Sequence, residues 1–227
     1  LDTLRETFEL HGFSGIETRA AEPLDQLLRK GETSKELYLL NRLQGGDAQD
    51  AQLGLHFDLT VPLARYVLEN KGKLDFPFKR YQIQKVWRGE RPQDGRFREF
   101  VQADVDVVGA DTLAFHHEIE LPLVMVDALS KLPIPRVIVR ASNRKVAQGF
   151  YEAIGIEDVA ETLRIVDKLD KVGPEAVAEM LHDGVGANEQ QAKLALALAD
   201  ITGSDGRVAD QISSLGYTSD LLEEGLE

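Results

Sequence analysis

The stretch "KRYQIQKVWRGERPQDGRFREFVQADVDVV", residues 79–108, decides the architecture of this chain. In its first part Tyr81, Ile83 and Trp87 share one parity, while Arg80, Gln82, Gln84 and Arg88 hold the other. A β-strand sends alternate side chains to opposite faces, so this spacing predicts a strand with one apolar and one polar face. The pattern returns in "EFVQADVDVV", where Val101, Ala103, Val105 and Val107 alternate with Phe100, Gln102, Asp104 and Asp106. The connection "GERPQDGRF" is short and carries turn residues, so the strands are expected to pair antiparallel with their polar faces side by side.

The connection is itself chemically distinctive. Residues 79–98 carry seven basic side chains against two acidic ones, a net of +5, in a chain whose formal charge is -13. Residues 99–227 hold 10 basic and 24 acidic groups. Four arginines, Arg88, Arg91, Arg96 and Arg98, fall within the eleven residues 88–98. The planar guanidinium fork meets two phosphate oxygens at once, which suits it to a phosphoanhydride. Arg88 ends a strand and is better fixed than an arginine at a loop tip, and "PQDG" offers a turn that folds the loop back. Two readings stand: a phosphate-binding loop, or a solvated one whose arginines pair with Glu90, Asp94 and Glu99. On the second strand, Gln102, Asp104 and Asp106 form either an ordinary wet sheet face or a pocket floor accepting hydrogen bonds from an amine or a protonated ring. Asp58 is an adequate N-cap for "LTVPLARYVLEN" whether or not it meets a ligand.

Composition bounds the rest. A chain of 227 residues, 43 % hydrophobic and 29 % charged, is ordinary for a globular protein, and its acidity argues against nonspecific coating of nucleic acid. Without cysteine there is no disulfide framework, thiolate metal site or cysteine nucleophile. The five histidines lack the i, i+4 spacing of helical metal ligands and read as surface or capping residues, so no metal site is expected. No apolar run approaches the roughly 20 residues that span a bilayer, and no signal segment opens the chain. The expectation is a cytoplasmic protein without membrane contact; opening on Leu1 rather than methionine fits a piece of a longer chain.

Along the chain, Leu1, Leu4 and Phe8 recur at helical spacing, with Gly12 placed as C′. "FSGIET", "ELYLL" and "QLGLHF" read as short strands, "EPLDQLL" as a helix, and "QGGDAQD" as a loop. "LAFHHEIELPLVMVDALSKL" reads as a helix and "RVIVRAS" as a buried strand. From about residue 146 alanine, leucine and glutamate dominate and the pattern is helical throughout.

"VWRGERPQDGRFREFVQADVD" resembles motif 2 of class II aminoacyl-tRNA synthetases, in the wording of the histidyl-tRNA synthetases. "GLHFDLTVPLARYV" resembles the amino-acid-binding segment of that family, and "RIVDKLDKVGPEAV" the helical insertion of its bacterial members. The resemblance implies an α+β fold, an antiparallel sheet of six or seven strands flanked by helices. Residues 1–145 would be the first part of the catalytic domain, with motifs 1 and 2, and residues 146–227 the all-helical insertion domain. It implies condensation of ATP, with its Mg²⁺, and histidine to histidyl-adenylate, then transfer to tRNA(His) by a homodimer. Arg88 would meet the α-phosphate; Glu90 and Arg96 would hold the adenine end and the outer phosphates; Phe100 would stack on adenine. Asp58, Thr60 and Gln102 would receive the amino group of histidine, and Asp106 its imidazole. Arg19 stands near the place where motif 1 usually ends in proline at the dimer interface, and Pro23 comes later. The chain holds no "RGLDYY"-like segment, motif 3 or anticodon-binding domain, so it is expected to be a first part. The alternative is the synthetase-like regulatory subunit of ATP phosphoribosyltransferase, for which an intact "RGERPQDGR" has no purpose. A non-catalytic RNA-binding or dimerisation module fits the acidic helical segment poorly.

Overall fold

The computed structural model describes residues 1–30, 36–42, 52–91 and 93–227. They form two compact units, Leu1–Val139 and Arg140–Glu227. The expected loop at 44–50 and Pro92 of the turn lie outside the described residues.

The first unit begins with α1 (Asp2–Leu10), followed by β1 (Ser14–Gly15). Gly12 sits just beyond the helix at φ +78°, a conformation open to glycine because it lacks Cβ. β2 (Ala21–Pro23), β3 (Tyr38–Leu40) and β4 (Leu53–Leu55) make a small antiparallel sheet in the order β2-β4-β3. Between β2 and β3 lies α2 (Leu24–Leu27); after β4 comes α3 (Thr60–Asn70), with Pro62 in its first turn.

The predicted hairpin is β5 (Phe78–Trp87) and β6 (Glu99–Val108), paired antiparallel over all ten positions of each strand. The alternation in the sequence becomes two surfaces. On one, Tyr81, Ile83, Val105 and Val107 pack with Phe8 and Phe13 from the α1 end, and with Leu121, Val124 and Ala128 of α4 (His116–Ser130). On the other, the register sets Arg80 opposite Asp106, Gln82 opposite Asp104 and Gln84 opposite Gln102. β1 adds a parallel edge to β5, so this sheet has three strands among the described residues, fewer than the six or seven expected.

The second unit is helical among its described residues: α5 (Arg144–Ala153), α6 (Val159–Val166), α7 (Leu169–Val172), α8 (Pro174–Val185), α9 (Glu189–Asp200), α10 (Arg207–Ser213) and α11 (Asp220–Leu226). Its sequence carries its own start signals. Asn143, Asp158 and Ser219 accept from first-turn amides, Asn188 and Gln191 form a reciprocal capping box, and Pro174 opens α8. The core gathers Phe150, Tyr151, Val177, Leu181 and Leu222. Gly149 lets α11 press against α5: a Cβ there would lie 2.4 Å from the amide nitrogen of Leu222.

Two expectations fail. "RVIVRAS" is not a strand: residues 136–142 have no regular structure, and Ile138 is 78 % exposed. An apolar run becomes a strand only with a ladder to join, and no described strand pairs with it. Nor are the histidines all superficial. His56 is wholly buried, its Nε2 within 2.7 Å of the Lys85 carbonyl, and His117 is buried beside Glu120.

Candidate active site

The polar face of β5 and β6 is the centre of the site, and three connections build its surroundings. The Trp87 amide donates to the carbonyl of His56, which lays the segment 56–58 along the end of β5. The Arg88 amide donates to Arg98 O and closes the loop at its base. Gly89 then donates to Glu36 O at 2.8 Å, an approach so close that a Cβ at 89 would lie 3.1 Å from that oxygen.

These connections hold Arg88 from several sides. Its Nε donates to Phe57 O at 3.0 Å, its Nη2 donates to Gln102 Oε1 at 3.1 Å, and its guanidinium lies 5.2 Å from the centre of the Phe100 ring. Gln102 in turn donates from Nε2 to both oxygens of Asp104, at 3.0 and 2.9 Å. A chain of polar contacts therefore runs from the arginine at the mouth of the loop to the carboxylates on the strand face. The amide of Gln102 is committed at both ends, which fixes its orientation.

Deeper on the same face, Arg80 is completely buried and its Nη2 lies 2.6 Å from Asp106 Oδ2. Arg80 also donates to the Leu59 carbonyl at 3.3 Å. Burial lowers the guanidinium pKa against the pull of Asp106, Asp104 and Asp58. The Asp106 carboxyl is pushed above the usual carboxylate range, first by burial and further by the charges of Asp104 and Asp58, with Arg80 opposing. Asp58 is buried, at 4 % exposure, and its Oδ1 accepts from the Val61 amide at 3.3 Å in the first turn of α3, as a capping residue would.

Arg88, Phe100, Gln102, Asp106 and Asp58 are thus gathered around one polar face. Glu90 and Arg96 are paired with each other at 3.2 Å on the exposed loop, and Arg98 donates to the backbone carbonyl of Glu90. Glu99 is held by Lys85 and Trp87 rather than by an arginine. Thr60 is not tied to this face by any described hydrogen bond; it is exposed at the start of α3 and lines a groove with Arg19 and Arg65. Sequence reasoning placed Arg80 on the polar face but gave it no part in the site, and read Asp104 only as part of a possible pocket floor without assigning it a contact. The signal was their register partners, Asp106 and Gln82, which parity alone does not reveal. No group of three or more His, Asp or Glu side chains suited to a metal ion occurs among the described residues.

An antiparallel strand pair carrying an arginine loop over a carboxylate floor, backed by helices, has the form of a class II synthetase motif 2. The family model of histidyl-tRNA synthetase matches residues 1–224, and the chain belongs to that family. It is 57 % identical to the histidine–tRNA ligase of Micrococcus luteus, an alignment covering 100 % of this chain and 52 % of that protein. It is 60 % identical to the ligase of Bifidobacterium animalis subsp. lactis, over 91 % of this chain and 46 % of that one. The crystal structure of histidyl-tRNA synthetase from Nostoc sp. PCC 7120 superposes with a TM-score of 0.85 at 33 % identity, covering 99 % of this chain and 50 % of that one. A structure from Bacillus halodurans described as an ATP phosphoribosyltransferase regulatory subunit/histidyl-tRNA synthetase shares the fold, at a TM-score of 0.78 and 20 % identity. The chain spans about half the length of the curated relatives it matches.

Proposed function

We propose that this chain is the first part of a histidine–tRNA ligase: residues 1–145 begin the catalytic domain and residues 146–227 form a helical insertion domain. The observation that carries the proposal is the continuous contact from Arg88 through Gln102 to Asp104, beside the buried pair of Arg80 and Asp106. It joins a loop suited to phosphates to a floor suited to a cationic amino acid.

In the proposed reaction a carboxylate oxygen of histidine attacks the α-phosphorus of ATP. The bond to the bridging oxygen breaks, pyrophosphate leaves, and histidyl-adenylate forms. Arg88 stabilises the negative charge that gathers on the α-phosphoryl oxygens; its anchorage by Phe57 and Gln102 means that little reorganisation is needed at that moment. Mg²⁺ would arrive with ATP and, when bound, would neutralise part of the charge of the phosphates. Arg96 and Glu90 part from each other to hold the outer phosphates and the adenine end, and Phe100 offers its ring to adenine. Asp58 and Gln102 receive the amino group of histidine and Asp106 its imidazole, while Thr60, exposed on the neighbouring groove, would have to turn toward this face to join them. In a second step the 3′ end of tRNA(His) takes the histidyl group and AMP leaves.

The family supports a cytoplasmic homodimer, and no helix among the described residues is long and apolar enough to cross a membrane. The regulatory-subunit reading leaves the arginine loop without a task, which favours the ligase. The test is ATP–pyrophosphate exchange by the complete protein carrying this chain, with each amino acid in turn. Exchange supported by histidine alone is expected; binding of histidine without any exchange would favour the regulator.

A further inference from the structure

The deepest charged group on the polar face has no role in the reaction as described above. Arg80 is wholly buried, yet its Nε and Nη1 find no hydrogen-bond partner among the described residues. A buried guanidinium with idle donors is costly to a fold, and a stretch of apolar side chains would serve packing better. Its placement explains what it does instead. Arg80 and Asp106 are direct register partners on β5 and β6, and Nη2 lies 2.6 Å from Asp106 Oδ2. That oxygen is sealed from solvent, whereas the Asp106 side chain keeps 34 % of its exposure, so the open side of the carboxylate is that of Oδ1. The charged groups facing Asp106 are Arg80 from β5, Asp104 from its own strand, and Asp58 from the turn before α3. Both neighbouring carboxylates repel a charge on Asp106; Arg80 alone among the three favours it.

Resting on the ligase reading, we propose that Arg80 is a positioning residue for histidine: from beneath the floor it clamps one oxygen of Asp106 so that the other is presented to the imidazole. Arg80 touches neither substrate. It decides where the Asp106 carboxylate points and whether it carries its charge. With three carboxylates around one buried cation, the floor keeps a net charge of about -2 when all are ionised, a field that favours the ammonium and a protonated or proton-sharing ring over a neutral side chain of the same shape.

The experiment uses the complete protein and follows pyrophosphate exchange over a pH series, for wild type, Arg80→Met, Arg80→Lys, Asp106→Asn and the Arg80→Met/Asp106→Asn double variant. Arg80→Met is expected to raise the KM for histidine about tenfold or more while that for ATP stays within about twofold. Losing the group that opposes protonation should move the acid limb of kcat/KM for histidine to higher pH. Arg80→Lys should restore part of both effects, because it returns the charge without the fork. In the Asp106→Asn background Arg80→Met should add little, since the carboxylate it serves is gone. If Asp106→Asn weakens histidine but Arg80→Met leaves both its KM and the acid limb unchanged, the positioning role is wrong and the pocket stands. If neither substitution touches histidine, the pocket itself is wrong. An equal loss for both substrates, with no shift of the acid limb, would reduce Arg80 to a scaffold residue and overturn the proposal. Should Arg80→Met fail to fold, Arg80→Lys decides: a wild-type histidine KM and acid limb overturn the positioning role, and a histidine-specific rise supports it.

Discussion

Arg88→Ala tests the centre of the reading. The side chain is half-buried and held from two directions, by Phe57 O at 3.0 Å and Gln102 Oε1 at 3.1 Å, with Phe100 beneath its plane. A charge held this way meets the transition state already oriented, and removing one such contact typically costs about 3–4 kcal/mol, or roughly 10²–10³ in rate. Two further losses follow from the geometry. Phe57 O loses a donor, and Gln102 loses the contact that fixes its oxygen, so the amide is free to turn and its bond to Asp104 loosens. Histidine binding should therefore weaken too, by about two- to fivefold, well below the effect on turnover. Arg88→Lys should recover little, since one ammonium cannot reach Phe57 O, Gln102 and a phosphate oxygen together. The assay is histidine-dependent ATP–pyrophosphate exchange by the complete protein, with thermal unfolding as the control for folding. Exchange within about threefold of wild type in a folded Arg88→Ala variant would remove Arg88 from the chemistry and the loop from the phosphate site.

Other consequences are as specific. Asp106→Asn should raise the KM for histidine at least tenfold and leave that for ATP nearly unchanged, measured by exchange at varied concentrations of each; equal losses would place Asp106 outside the pocket. Arg65→Met should destabilise the fold by about 3 kcal/mol in denaturant titration, because Glu22, 1 % exposed, receives two 2.8 Å hydrogen bonds from Arg65 and would be left, among the described residues, with Arg19 at 3.3 Å. Glu120 is held below its ordinary pKa of 4.5, first by its bond from Lys79 and then by His117. A depressed folded-state value stabilises the fold above 4.5 and is lost as pH falls through the lower folded value. Glu120→Gln should accordingly cost about 0.5–1 kcal/mol at neutral pH and flatten the acid limb of stability below that point, read from urea midpoints along a pH series.

The alternation in residues 79–108 foretold a hairpin with one apolar and one polar face, and both faces were readable because strand parity is a local property; burial was not, since Arg80 and Gln82 on the polar face are wholly buried while Val101 on the other is 46 % exposed. The same locality explains what was missed. Nothing in single-strand parity says that Arg80 meets Asp106 rather than a solvent molecule; that depends on the register, which the loop length sets only when its conformation is known. His56 illustrates a different limit. Its burial comes from the neighbouring end of β5, where Lys85 O accepts a hydrogen bond from its Nε2, a contact across 29 residues with no trace in the local pattern. "RVIVRAS" failed for the reverse reason: its apolar pattern was strong, but a strand needs a partner ladder, and a pattern cannot supply one.

Why one strand pair should serve two substrates in the proposed reaction follows from the register. Because antiparallel partners stay opposite one another along all ten pairs, the polar face is a ruler running from Arg80 and Asp106, at the deep end, to Phe100, with Arg88 just past the last pair. On the proposed ligase reading, the amino acid and the phosphate it must attack would lie along one rigid element, with the distance between them set by backbone hydrogen bonds rather than by mobile side chains. Gln102 stands between, bonded toward Arg88 by its oxygen and toward Asp104 by its nitrogen. A reaction between a bound carboxylate and a bound α-phosphate gains most from such fixed spacing, since orientation within an ångström is worth several kcal/mol of barrier. On this argument, inserting one residue into β6 between Gln102 and Asp106 would do more harm than removing either side chain, because it would turn the carboxylates beyond it to the apolar face.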